Sequence, residues 1–121
     1  MSDPRAFADW YVRHMGLKVV RQMDKAPFTT FLADDSGNVM IEIYNNPPDE
    51  VPPYRTMNPL LLHLAFVSND PEADCKRLAE AGAELVEEVR LNDGSFLVMM
   101  RDPWGLALQL CKRGKTMLKD Y

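Results

Sequence analysis

The sequence lacks the features that mark proteins of nucleic acids or membranes. It contains no run of basic residues, and its 14 Lys and Arg are outnumbered by 18 Asp and Glu, so no surface for a phosphate backbone is expected. Its longest apolar stretch, residues 60–67, is far shorter than the roughly 20 residues that span a bilayer. Its first residues lack the basic-then-apolar order of a signal peptide. These absences predict a cytoplasmic protein that binds neither nucleic acid nor membrane.

Cysteine and histidine are scarce as well. Cys75 and Cys111 form no CxxC pair, which argues against a zinc knuckle or a CxxC redox motif and favours free buried thiols. Of the two histidines, His14 falls inside the first predicted helix and is interpreted as a surface or packing residue. With 121 residues, 46% of them hydrophobic, the chain suffices for one compact domain.

Two capped helices are predicted at a fixed separation in the chain. An Asp-Pro pair at positions 3 and 4 precedes an amphipathic stretch that ends at Gly16, and a second Asp-Pro pair at positions 70 and 71 precedes a stretch that ends at Gly82. Asp supplies an N-cap oxygen, Pro is tolerated at the first helical position, and Gly permits a left-handed exit. The two helix starts lie 67 residues apart.

A second pair of matches tests this offset. Asp35 precedes Glu42 by seven residues, and Asp102 precedes Gln109 by seven residues. Each residue of the second pair lies 67 positions after its counterpart in the first pair, which is the offset that separates the helices. The chain therefore contains an internal repeat.

The repeat organises the predicted domain into two modules. The strands are expected at 17–22, 28–33 and 39–44 after the first helix, at 60–67 before the second helix, and at 84–89, 96–101 and 106–111 after it. This predicts a first module at 1–45, a Pro-rich linker at 46–59, a second module at 60–113 and a tail at 114–121, all within one compact domain.

One strand lacks a counterpart under the repeat. The offset would place the partner of strand 60–67 upstream of Met1, so the first module is expected to lack its first strand. A module with three strands leaves an unpaired edge beside residues 17–22 or a neighbouring strand, and such edges tend to be covered by another chain. We therefore expect a homodimer.

Strand alternation selects three polar residues. Glu42 alternates with the apolar Ile41 and Ile43 and is expected to face away from the helix. His63 lies in the predicted strand 60–67, and Gln109 alternates with leucines in the last strand. Polar groups that lie centrally on a sheet line a cavity or pair with each other.

These segments resemble a known superfamily across essentially the whole chain. The stretches ADWYVRHMGLKVV, GNVMIEIYN, LLHLAFVSNDPEADCKRLAEAGAELV and DPWGLALQL are similar to the glyoxalase I branch of the vicinal-oxygen-chelate superfamily, which includes glyoxalases, bleomycin-resistance proteins and dioxygenases. The resemblance implies an α+β fold in which two βαβββ modules form a funnel-shaped pair of half-barrels.

The resemblance also implies a metal site. Glu42, His63 and Gln109 fall at positions that hold one divalent metal in the family, where Zn, Ni, Fe, Mn and Co are the candidate ions. The family usually has Glu where this chain has Gln109, and the fourth ligand would lie on the absent first strand. Occupancy by a metal is therefore left open.

Three functions remain open on this basis. The first is a glyoxalase-like lyase or isomerase of a small α-oxygenated substrate, in which Glu42 would be the base because the Gln109 amide accepts no proton. The second is a metal-free protein that binds a small molecule, as bleomycin-resistance proteins do. The third and weakest is an extradiol-type dioxygenase, which needs a second histidine that His14 is not placed to supply.

Overall fold

The chain folds into two compact units, Met1–Pro52 and a second unit that begins at Pro53. The structure is a computed structural model that describes residues 1–115, without the side chains of Val39 and Met40. The elements of the first unit are α1 Pro4–Met15, β1 Lys18–Gln22, β2 Thr30–Ala33 and β3 Val39–Ile43. Those of the second are a 3-10 helix Tyr54–Thr56, β4 Leu64–Val67, α2 Pro71–Glu80, β5 Glu84–Arg90, β6 Phe96–Arg101 and β7 Ala107–Lys112. Within residues 1–115, neither α-helix is long and apolar enough to cross a membrane.

Both α-helices begin with the same cap. The side chain of Asp3 accepts a hydrogen bond from the backbone N–H of Ala6 at 3.1 Å, and Asp70 accepts one from Ala73 at 3.1 Å. Each aspartate thus satisfies a backbone donor that the first helical turn leaves unpaired. Gly16 ends α1 at a φ of 70°, in the left-handed region that glycine tolerates.

The two sheets follow the repeat. The first has the order β1-β2-β3 with antiparallel pairing, and the second has the order β4-β7-β6-β5. In the second sheet β4 runs parallel to β7, whereas the other neighbours are antiparallel. The second unit is therefore a βαβββ module and the first an αβββ arrangement, and the predicted α+β class is confirmed.

Each helix packs on one face of its own sheet. In the second unit α2 contacts β5, β6 and β7, and in the first unit α1 contacts β1 and β2. The side chains on these packed faces are apolar and buried; they are Phe7, Tyr11, Leu32 and Ile43 in the first unit and Leu78, Val98, Met100, Leu108 and Leu110 in the second. These packed faces therefore form the apolar core of each unit.

The predicted strand 60–67 is wrong in its first half. The strand begins only at Leu64, because residues 59–62 form a turn. The Asn58 side chain accepts from the backbone N–H of Leu60 at 2.9 Å, and the Asn58 carbonyl accepts from Leu61 at 3.0 Å. These local bonds compete with strand pairing, and they leave Leu60 and Leu61 77% and 79% exposed.

The predicted linker is also more ordered than expected. Its residues 53–59 belong to the second unit and include the 3-10 helix Tyr54–Thr56, in which the Pro53 carbonyl accepts from Thr56 at 3.0 Å and from Met57 at 3.2 Å. The module boundaries and the single compact domain stay predictions. Residues 116–121 of the predicted tail lie outside the described residues.

Candidate functional site

The face of the second sheet that turns away from α2 carries Gln109. Its neighbours across the ladder are Ala65 on β4 and Met99 on β6. Gln109 is half-buried, whereas Met99 and the residues two positions to either side of Gln109, Ala107 and Cys111, are buried. This face thus bears the Gln109 amide among apolar residues near its centre, with the charged Glu87 beside Met99 and Arg101 beside Ala107.

One end of the amide is already engaged. The Cys111 thiol donates to Gln109 Oε1 at 3.2 Å. Burial raises the pKa of Cys111, against a smaller lowering by the Arg113 charge, so the sulfur keeps the proton that it donates. With the oxygen turned to the thiol, Gln109 offers its NH₂ group as a donor.

His63 precedes β4 rather than lying inside it. Its Nδ1 lies 2.8 Å from the carbonyl oxygen of Pro59, and the side chain is half-buried. A carbonyl only accepts hydrogen bonds, so this contact assigns the proton of the neutral ring to Nδ1. Nε2 is then left with a lone pair, available to accept a hydrogen bond or to bind a metal.

His63 and Arg101 occupy the same end of the second sheet. Leu64, which follows His63, pairs with Leu108, and Arg101 pairs with Ala107 at the start of β7. The Arg101 guanidinium donates to the carbonyls of Tyr54 (2.9 Å), Met57 (2.8 Å) and Gly105 (3.0 Å). The sequence assigned Arg101 no role, and its only signal was its place directly before the turn Asp-Pro-Trp-Gly.

Glu42 lies in the first unit. It pairs with Phe31 on β2, whereas its neighbour Ile43 pairs with the buried Thr30 on the face that packs against α1. Glu42 is therefore an exposed carboxylate on the face away from the helix. His14 lies within α1, with its ring centroid 5.2 Å from that of Trp10.

The structure groups two of the three predicted residues. Gln109 lies on β7 and His63 directly precedes the neighbouring strand β4, both in the second unit. Glu42 belongs to the first unit. Their roles as ligands stay predictions. Among residues 1–115, neither unit contains within itself three His, Cys, Asp or Glu side chains placed to hold a metal ion. The second unit alone offers an imidazole and an amide, two neutral donors, and does not fit a tightly bound divalent metal, which takes at least three protein ligands in the common zinc sites.

A groove in the first unit is separate from these residues. It lies between α1 and β1, has a volume of about 430 Å³, and is lined by residues that include Arg5, Asp9, Val12, Val19 and Gln22. Glu42 does not line it. The groove therefore belongs to the helix side of the first sheet.

Several solved structures share this fold. A lactoylglutathione lyase from Agrobacterium tumefaciens is 19% identical, with 91% of this chain and 85% of that chain covered and a TM-score of 0.65. An antibiotic-binding protein from a Streptomyces species is 24% identical, with 93% and 88% covered and a TM-score of 0.63. A glyoxalase/bleomycin resistance protein from a Streptomyces species is also 24% identical, with 93% of each chain covered and a TM-score of 0.59. At these identities the likeness establishes the fold alone.

The sequence itself identifies the family. No curated protein matches the chain in sequence. The family model of the Glyoxalase/Bleomycin resistance protein/Dioxygenase superfamily matches residues 1–110, which is most of the chain. The chain therefore belongs to the Glyoxalase/Bleomycin resistance protein/Dioxygenase superfamily.

Proposed function

We propose that this protein binds a small organic molecule on the face of the second sheet opposite α2, without a resident metal. The observation that carries the proposal is the His63 imidazole, whose Nδ1 is held by the Pro59 carbonyl at 2.8 Å beside a largely apolar sheet face. Ligand sites in proteins are mostly apolar and contain a few polar groups that fix orientation. His63 and Gln109 are the polar groups of this face that we propose contact the ligand.

The two groups predict the chemistry of the ligand. His63 Nε2 is an acceptor, because Nδ1 carries the proton, and the Gln109 NH₂ group is a donor, because its oxygen takes the Cys111 thiol. A molecule with a hydroxyl next to a carbonyl supplies the matching donor and acceptor. An α-oxygenated compound with an apolar body is therefore the expected ligand, and the antibiotic-binding neighbour supports the binding of a small organic molecule.

The proposal is tested by screening apolar hydroxyketones for stabilisation of the purified protein and by measuring affinity with calorimetry. Loss of one hydrogen bond of ordinary strength predicts that His63→Gln weakens binding by about tenfold or less. His14→Gln is the matched control, since His14 lies in α1 of the other unit, and it should bind as the wild type does. Equal affinities for wild type and His63→Gln would remove His63 from the site.

A metal-dependent lyase is the second candidate, and a specific contact favours it. Histidines that bind metals commonly donate their other ring nitrogen to a backbone carbonyl, as His63 does to Pro59. A bound divalent metal would polarise the oxygens of the substrate. In this proposal Glu42 is the base, because the Gln109 amide accepts no proton in the physiological range.

Metal addition separates the two candidates. Zn, Ni, Fe, Mn and Co are added singly to metal-stripped protein, and binding and turnover of the hemithioacetal of methylglyoxal and glutathione are measured. Ligand affinity that a chelator leaves unchanged supports the metal-free proposal. Stoichiometric metal binding with turnover that Glu42→Gln abolishes would establish the lyase instead, with Asp49→Asn as an exposed control in the same unit.

We also propose a homodimer that resides in the cytoplasm. In the described residues β3 is an edge strand, although its counterpart β7 has neighbours on both sides, and Val67 on edge strand β4 is 90% exposed. Both cysteines are free, as in a reducing compartment. Sedimentation at micromolar concentration should show a dimer, and a monomer would contradict this assembly.

A further inference from the structure

A short strap of chain leads to His63. The strap, residues 53–59, contains the 3-10 helix Tyr54–Thr56 and ends at Pro59, whose carbonyl accepts from His63 Nδ1. It contributes no strand to the sheet, and Arg101 fastens it at two points. Nη1 of Arg101 donates to the Tyr54 carbonyl at 2.9 Å, and Nη2 donates to the Met57 carbonyl at 2.8 Å.

The strap is also fastened in the reverse direction. Nη2 of Arg55, on the strap, donates at 2.9 Å to the carbonyl of Pro103, in the turn between β6 and β7. Gly105 of that turn lies against the strap so closely that a Cβ atom there would be 2.7 Å from Cβ of Arg55. The turn and the strap thus form one clasp in which only glycine fits at position 105.

The clasp reaches His63 through a tight turn. Asn58 follows the anchored Met57 and closes the turn to Leu61 through its carbonyl, at 3.0 Å. Pro59 lies inside this turn, so fixing Met57 fixes where the Pro59 carbonyl points. That carbonyl in turn holds the proton of the His63 ring on Nδ1.

We infer that Arg101 is a positioning residue that sets the tautomer of His63. The inference rests on the proposed function in one respect: it is the ligand site that needs an acceptor at Nε2. Without the Pro59 carbonyl, a neutral imidazole in water prefers the proton on Nε2, which would turn the acceptor into a donor. Arg101 therefore controls the hydrogen-bonding character of the site without contacting the ligand.

The test measures the tautomer directly. Long-range ¹H–¹⁵N NMR correlation is recorded at about pH 9, where an ordinary imidazole is neutral. Only two histidines occur in the chain, so His63→Gln assigns the signals and His14 is an internal control. Loss of one hydrogen bond of ordinary strength predicts a roughly fivefold fall in the ratio of Nδ1–H to Nε2–H at His63 in Arg101→Met.

Two glycines supply a matched pair of variants. Gly105 and Gly94 have nearly the same φ, +90° and +89°, so alanine is strained equally at both positions. Only at position 105 does the added Cβ strike the strap, because at position 94 the nearest atom to it would be Cα of Gly114, 3.7 Å away. Gly105→Ala should shift the His63 tautomer as Arg101→Met does, and Gly94→Ala should leave it unchanged.

The outcomes distinguish this inference from the function on which it rests. An unchanged tautomer in Arg101→Met, with ligand binding that still depends on His63, would overturn the positioning role and leave the binding function in place. A His63 tautomer that shifts in Arg101→Met, in a protein that binds no hydroxyketone, would support the positioning role and overturn the proposed binding function. If Arg101→Met fails to fold, Arg101→Lys replaces it, since lysine keeps the charge but loses the forked guanidinium. Arg90, whose guanidinium lies over the Phe96 ring, supplies the control Arg90→Lys.

Discussion

Replacing Asp102 by alanine should destabilise the second unit more than any exposed substitution. The Asp102 side chain is 1% exposed, and its Oδ1 accepts from the backbone N–H groups of Trp104 and Leu106, both at 2.9 Å. A hydrogen bond to a charged group contributes about 1.5–3 kcal/mol, and the Leu106 donor is buried. The Trp104 donor is only partly buried and regains water, so the loss should be about 3–4 kcal/mol in the free energy of unfolding.

The repeat itself provides the control. Asp35 occupies the matching position 67 residues earlier, but its side chain is 91% exposed and pairs with Lys18 at 3.4 Å. An exposed ion pair of this kind contributes at most about 1 kcal/mol. Urea denaturation of Asp102→Ala and Asp35→Ala gives both values, and equal losses would refute the argument from burial.

The isosteric change Asp102→Asn isolates the charge. Burial raises the pKa of Tyr54, and the Asp102 carboxylate raises it further. Asparagine keeps an acceptor oxygen but no charge, so the pKa of Tyr54 should fall towards 10.0 without reaching it, because its burial remains. Ultraviolet titration of tyrosinate measures the pKa of Tyr54, and Tyr54→Phe identifies its signal. An unchanged pKa in Asp102→Asn would show that the Asp102 charge does not act on the Tyr54 phenol.

Two further predictions concern the helices. Asp3→Ala and Asp70→Ala should each cost about 1 kcal/mol of unfolding free energy, because each aspartate caps its helix through a bond of 3.1 Å; a loss at only one site would contradict the equivalence of the caps. Leu78→Ala should cost about 2–5 kcal/mol because Leu78 is fully buried, whereas Leu60→Ala, at a 77% exposed position, should change stability by no more than about 0.5 kcal/mol. Urea denaturation measures all four.

The repeat made the architecture predictable because helix caps and strand alternation are local signals. Asp3 and Asp70 differ in their surroundings but cap their helices in the same way. Burial is not local, and there the repeat misleads. Asp35 and Asp102 occupy equivalent positions, yet one is exposed and the other is enclosed by a turn. The offset therefore predicts where a residue lies in its module, but it does not predict how much that residue contributes to stability.

The approach to His63 could not be predicted for a related reason. Eight consecutive residues from Leu60 favour a strand by composition, but Asn58 closes a turn before them, and pairing with β7 starts only at Leu64. Alternation counts apolar residues and does not weigh a side chain that binds the backbone two residues later. As a result alternation predicts His63 within a strand, whereas His63 lies directly before β4 with its ring bonded to the Pro59 carbonyl.

In the proposed site, the order of hydrogen-bond acceptor at His63 and donor at Gln109 determines which ligands we expect this face to bind. The Gln109 amide carries no formal charge and its oxygen accepts from the Cys111 thiol, and the adjoining Met99 is apolar and buried. The Arg101 guanidinium, on the same face, already donates to three backbone carbonyls. Affinity in the proposed site is expected to come from apolar contact and two directed hydrogen bonds. We expect such a site to select ligands by shape and by the order of donor and acceptor, and on our inference Arg101 sets that order through the strap.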